Sequence, residues 1–158
     1  METKLIKASL EDANELHRMQ LIAFKPLLDK YQDFDLNPGN ENIEKTILRL
    51  KEDSTDYYFI YNKYICVGAI RIRRLEEGTL CKVGPLYILS EFQNRGIAQE
   101  TFQIIEEKYN PQNGWILDTI LQEEGNCHLY EKIGYKKTGK IEKINDRMDI
   151  VYYEKKNN

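Results

Sequence analysis

The chain has 158 residues, 41% hydrophobic and 31% charged, with a formal net charge of −3 from 23 basic and 26 acidic side chains. That length suits one ordinary domain over residues 1–158, and that composition is globular rather than disordered. With no basic excess to neutralise phosphates, neither nucleic acid nor a membrane surface is expected as a partner.

The start, METKLIKASLED, places charges among its first residues and has no long apolar core, so it is not read as a signal peptide. No run approaches the length that spans a bilayer. Residues 3–9 (TKLIKAS) read as a first strand. Ser9 then offers an N-cap with acidic residues in the turn that follows. Ala13, Leu16, Gln20, Ala23 and Leu27 recur at helical spacing, and Pro26 is expected to bend or interrupt that helix. Asn37 to Asn40 (NPGN) is a turn, and Ile43, Ile47 and Leu50 give the stripe of a second helix. Two strands follow, DYYFIYNK and ICVGAIRIRRL, with Asn62 and Lys63 as their hairpin turn. In the second, Ile70 and Ile72 alternate with Arg71 and Arg73, the pattern of a half-buried antiparallel strand. Arg71 to Arg74 (RIRR) form a local basic spot suited to a phosphate neighbour. A turn at Glu76 to Thr79 leads into LCKVGPLYILS, then a helix over Gly96 to Tyr109. WILDTIL, Trp115 to Leu121, is apolar enough for a central strand. A short helix, GNCHLYEKIG, stops at Gly134, a good capping residue. DIVYYEKK is the last strand, and the Lys/Glu runs in KIEK and YEKK read as a solvated face. The order is β-α-α-β-β-β-α-β-α-β, a mixed sheet with helices packed on it.

Cys66, Cys81 and Cys127 are odd in number and scattered. Neither a disulfide framework nor a metal site is expected from them, and a reducing cytoplasm is the expected location. His17 and His128 read as solvated or supporting residues, and Trp115 as core.

The stretch EFQNRGIAQE, Glu91 to Glu100, joins an apolar strand to a helix. The first N–H groups of a helix lack internal partners, and the helix dipole adds partial positive charge there. Such an end holds an anion, above all a phosphate. Gly96 lets a ligand approach the backbone, and Arg95 can add a charge-assisted bond. The pattern Q-x-x-G-x-A lacks the Gly-Lys-Ser/Thr of a P-loop and the spacing of a dinucleotide fingerprint.

Taken with NCHLYEKIGY, Asn126 to Tyr135, this pattern resembles the GCN5-related N-acetyltransferase (GNAT) family. The sharp motifs lie within about Leu86 to Tyr135, and the element order matches the family's core. The resemblance implies an α/β GNAT-type acyl-CoA N-acyltransferase fold, a mixed splayed central sheet flanked by helices, with acetyl-coenzyme A in the opening. It further implies that the amides of Asn94, Arg95, Gly96, Ile97 and Ala98 cradle a pyrophosphate, with Gln93 opening the motif and Gln99 beside it. Leu86, Tyr87 and Ile88 would offer backbone groups to the pantetheine arm, and an N–H there, at Ile88, would face the thioester carbonyl. Asn126 would bond the same arm, and Tyr130 would stand near the sulfur. Many members carry an asparagine seven residues before the tyrosine; here Glu123 is there, and the asparagine lies four before.

The implied reaction is direct transfer of an acetyl group to a primary amine, with Tyr130 as acid for the departing thiolate. A tyrosine near pKa 10 keeps its proton at neutral pH yet can share it with a thiol near 8.5. Cys127 has no base to make it a nucleophile. Glu91, Asp118, Glu123 and Tyr87 are open candidates for the general base. A small-molecule acceptor is expected. The alternatives are a non-catalytic acyl-coenzyme A-binding or regulatory module and a generic nucleotide-phosphate binder. Dimers are common in that family, and no pattern here selects one.

Overall fold

In the computed structural model, which describes residues 2–157, seven strands form one sheet in the order β1-β2-β3-β4-β5-β7-β6. β1 (Thr3–Lys7) is followed by a 3₁₀ turn and α1 (Ala13–Tyr31), then by α2 (Ile43–Lys51). Ser9 and Asp12 close a capping box at the start of that turn, the Ser9 N–H donating to Asp12 Oδ2 at 2.8 Å. The helix then runs unbroken through Pro26, contrary to the expected interruption. Proline removes one donor, so the helical acceptor it leaves is the carbonyl of Ile22, on an exposed turn where water can replace it.

β2 (Thr55–Asn62) and β3 (Ile65–Leu75) form the expected hairpin, its turn one residue later at Lys63 and Tyr64. β3 is not half-buried. Both of its faces are covered, because α1 and α2 pack on one side and α3 (Ile97–Tyr109) with α4 (Glu124–Lys132) on the other. One core cluster joins Ile70, Ile72, Phe102, Ile105, Trp115 and Tyr153; the second joins Leu16, Met19, Tyr57, Phe59, Ala69 and Tyr87 under α1.

β4 (Leu80–Ile88) and β5 (Trp115–Ile120) are parallel, yet they pair only through Cys81 with Trp115 and Lys82 with Ile116. Beyond those two rungs they part. β4 carries an extra residue there: Ile70 faces Leu86, but Ile72 faces Val83. A bulge bends a strand, and Pro85 within it has no N–H for a ladder. The expected splay is therefore present, and the sequence of β4 produces it.

β7 (Asp149–Lys155) crosses beside β5, and β6 (Lys136–Lys143) pairs with β7 at the sheet edge. The sequence reading had no strand at β6. Its KIEK segment is solvated as expected, but as the exposed edge of the sheet.

Candidate active site

Gly96 caps α3 in the left-handed region, φ 80°, after Asn94 at φ 64°. These two left-handed residues, on either side of Arg95, turn the chain sharply from strand to helix. The N–H groups of residues 94–99 meet no protein acceptor among the described residues; the next, Glu100, bonds the Gly96 carbonyl at 3.0 Å. A Cβ built on Gly96 would touch nothing within 4 Å, so the space over these amides is open. Arg95 reaches back, Nη2 donating to the Glu91 carbonyl at 3.2 Å while its guanidinium lies over the Phe92 ring. Gln93 also turns inward: its Nε2 donates to the Ile88 carbonyl at 2.8 Å, fixing the loop to the strand end.

That strand end has a free edge. The Leu89 N–H donates to the Val67 carbonyl at 2.8 Å, so residues of odd number here turn their peptide groups to β3. Peptide groups alternate along a strand, so Leu86 and Ile88 turn theirs to the opposite edge, where β5 has diverged. The Ile88 carbonyl is occupied by Gln93 and its N–H is left facing the opening. Tyr87, between them, turns its peptide groups to β3, so its backbone is not at the free edge, contrary to expectation. Its ring packs edge-on to Phe24 at 5.7 Å, and its hydroxyl donates to the Leu16 carbonyl at 3.1 Å. Burial pushes that hydroxyl's pKa far up, and its proton is committed to Leu16, away from the cavity lining.

A cavity of about 450 Å³ passes through the opening. Leu86, Asn126 and Tyr130 line it from the α4 side; Phe24, Leu27, Arg49 and Arg71 line it from the side of α1 and α2. Tyr130 is 9% exposed and is held edge-to-face by Phe102 and Tyr135 at 5.7 and 6.1 Å. Burial, then the neighbouring Cys127 and Asp118, raise its pKa, so it keeps its proton at neutral pH. Asn126 is exposed on the same helix.

Of the four candidate bases, Asp118 alone lines this cavity, ion-paired to Lys82 at 3.4 Å. Glu91 is exposed beside the α3 turn, away from the cavity wall. Glu123 is committed elsewhere: it accepts from Tyr31 at 2.5 Å and from Lys30 at 2.8 Å, tying α4 to the end of α1. Burial raises the Glu123 pKa, but Lys30 and Tyr31 outweigh it and hold the carboxyl below its ordinary range. Cys127 is buried with its Sγ toward the Ile120 and Leu121 carbonyls, and no base stands beside it. His128 is exposed, whereas His17 is fastened by Nε2 to the Glu41 carbonyl at 2.8 Å and so anchors the approach to α2.

The arginines were read only as a basic spot. Arg74 is spent on Asp56, while Arg71 and Arg73 face the cavity. Their alternation with Ile70 and Ile72 did signal a second face to β3; nothing local signalled that two helices would cover it.

Across residues 28–157 the chain matches the family model of the acetyltransferase (GNAT) domain. The chain belongs to the GNAT acetyltransferase family. This GNAT chain is accordingly an acetyl-coenzyme A-dependent N-acetyltransferase, with acetyl-coenzyme A as co-substrate. No curated protein matches it in sequence. Among solved structures it resembles the ribosomal L7/L12 α-N-protein acetyltransferase RimL in complex with coenzyme A, at 12% identity over 99% of this chain and 94% of that one, TM-score 0.74. The Vibrio cholerae spermidine N-acetyltransferase in complex with coenzyme A and spermine is similar over 97% and 94% of the two chains, at 15% identity and TM-score 0.75. The microcin C7 self-immunity acetyltransferase MccE, with acetyl-CoA and AMP, is similar over 99% and 93%, at 17% identity and TM-score 0.73. These likenesses are of fold. Among the described residues of this GNAT chain, no helix is long and apolar enough to cross a membrane.

Proposed function

We propose that the protein, acting as one catalytic domain, moves an acetyl group from acetyl-coenzyme A directly to the primary amine of a small molecule. The observation that carries this reading is the single cavity joining the unpaired edge of β4 to Tyr130. The amides of residues 94–99 are unpartnered and the space above Gly96 is open, which fits a pyrophosphate at the start of α3. The free peptide edge at Leu86 and Ile88 suits the amide groups of a pantetheine arm, as a strand partner where β5 is missing. A volume of about 450 Å³ is that of a small-molecule site rather than of a groove for a folded partner.

In this reading Ile88 N–H donates to the thioester carbonyl oxygen as charge develops on it. Gln93 supports that donor by holding the other group of the same residue. The neutral amine attacks, the carbon–sulfur bond breaks, and Tyr130 gives its proton to the sulfur. The proton lost by the amine leaves through the cavity, which Asp118 alone of the candidate bases lines. Tyr130 is then reprotonated.

The test is release of free thiol from acetyl-coenzyme A with a panel of primary amines, beside thermal melts with the same ligand. Turnover is expected with at least one amine. Tyr130→Phe is expected to lower kcat by about 10²- to 10⁴-fold, the range of a general acid, and to leave the rise in melting temperature with acetyl-coenzyme A in place. Binding without turnover in the parent protein would make it a non-catalytic acyl-coenzyme A module. A larger shift with ATP or NAD would make it a nucleotide binder.

A further inference from the structure

The walls of the cavity carry a charge arrangement that acetylating a simple amine does not require. Every carboxylate on them already has a partner. Glu41 takes a two-pronged contact from Arg49 at 2.7 and 2.9 Å, and Asp118 pairs with Lys82 at 3.4 Å. Glu142 accepts the Tyr152 hydroxyl at 2.8 Å, and Asp33 accepts the Asn37 amide at 3.0 Å. Two cations are left over. Arg73 makes no ion pair among the described residues. Arg71 is only 8% exposed, and its buried Nε has no partner. Its one carboxylate contact, Nη2 to Glu52 at 3.5 Å, is long, and that glutamate also accepts from Thr55 at 3.2 Å.

Burying a guanidinium without a full set of acceptors is costly, and like charges nearby raise the cost. Burial, then Arg49 and Arg73, depress the pKa of Arg71, while Tyr57 and Glu52 oppose them. An arginine fork matches the planar oxygens of a carboxylate or phosphate, which would supply the missing acceptors. The two arginines project to the α1 side of β3, as Tyr57 does opposite Arg71. Tyr130 stands on the α4 side, and the cavity connects them through the opening.

We infer that the acceptor carries an oxyanion, a carboxylate or a phosphate, at the end away from its amine, and that Arg71 and Arg73 hold it. The anion then seats on the α1 side, and the amine points through the opening toward Tyr130. Asp33 and Glu142 also line the cavity, each bonded to a neutral partner rather than to a cation, which suits an acceptor that is cationic at one end and anionic at the other. The anion site stands on the cavity alone; only the fate of the amine end rests on the acetyl-transfer reading.

The experiment uses matched pairs with the acetyl-coenzyme A-loaded protein: amino acids against their decarboxylated amines, and aminoalkyl phosphates against the corresponding amino alcohols. The two arms separate carboxylate from phosphate. In one arm the members that carry the anion are expected to raise the melting temperature and to exceed the partners that lack it at least tenfold in kcat/KM. Arg71→Met is expected to remove that discrimination, with the acetyl-coenzyme A shift unchanged. Arg73→Met, at a less buried position, is expected to reduce it as well and serves if Arg71→Met folds poorly. Members lacking the anion that bind or react as well as their anion-bearing partners in both arms overturn the inference. So does an absence of any shift by anionic members, or discrimination that survives both substitutions. An anion shift that persists where acetyl-coenzyme A itself gives none would overturn the acetyl-transfer reading and uphold this one.

Discussion

At the scale of single residues, Gly96 and Arg71 differ in how far sequence could reach them. Gly96 was legible because its requirement is local. A residue that begins a helix from φ 80° favours glycine whatever surrounds it. Gly96→Ala meets no steric obstacle, since nothing lies within 4 Å of the added carbon, so its effect is purely conformational. We expect a loss of about 1–2 kcal/mol from the left-handed backbone, seen in urea denaturation, and weaker acetyl-coenzyme A binding by calorimetry. Unchanged affinity would show that the turn does not shape the ligand site. Arg71 was illegible for the opposite reason. Its meaning depends on α1 and α2 covering β3, on Glu41 capturing Arg49, and on Glu52 lying at the edge of contact, all of which involve separate segments. Tyr130 lies between the two, named by a motif, while its aromatic cage of Phe102, Tyr135 and Tyr153 could not be read from spacing.

At the scale of elements, strands that bury a face announced themselves and the one that does not was missed. β7 alternates buried Val151 and Tyr153 with more exposed neighbours, a period-two signal. β6 has every residue exposed and one large apolar side chain, Ile141, so no such signal exists. Only its partner β7 makes it a strand. Pro26 misled as well, since buried residues on both sides of it, Met19 and Gln20 before and Tyr31 after, hold α1 through it. The β3–β4 pairing offers a sharper test. A Cβ on Gly68 would come within 2.0 Å of the Tyr87 carbonyl oxygen, a rigid backbone atom. Gly68→Ala should push β4 away from β3 and lower stability by about 1–3 kcal/mol or more, as overpacking does. It should also shift the Ile88 edge, so kcat should fall even at temperatures where the variant is folded. A melting curve with an assay at 10–20 °C below its midpoint reads both.

At the scale of the whole molecule, three carboxylates brace distant segments. Asp56 gathers Tyr109 at 2.6 Å, Lys7 at 3.3 Å and Arg74, joining β1, β2, β3 and α3. Glu41 joins the loop before α2 to α1 and α2 through Gln20 and Arg49, and Glu123 joins α4 to α1. In each, burial raises the pKa, but hydrogen bonds and cations outweigh it and hold the group below ordinary values of 3.8 for Asp56 and 4.5 for the glutamates. A depressed folded value gives stability that is complete above the unfolded pKa and lost as pH falls through the folded one. The urea midpoint should therefore change little on this account from pH 7 to about 5 and drop below about pH 4. Asp56→Asn should be less stable than the parent at pH 7 and lose less on acidification. Parallel acid limbs for the two proteins would exclude Asp56 as a contributor.

The two rungs between β4 and β5 set the mechanics of the molecule. Strands β1 to β4 and strands β5 to β7 are two plates stitched at one end only, at Cys81–Trp115 and Lys82–Ile116. With a pantetheine arm lying along the unstitched seam, the plates would be braced along their full length. Amide hydrogens at Leu86 and Ile88 should then exchange with solvent quickly in the free protein and slow sharply once acetyl-coenzyme A is added, while those of the β2–β3 hairpin stay as they were. On this view the enzyme at rest is a half-open clasp, and its substrate is the pin.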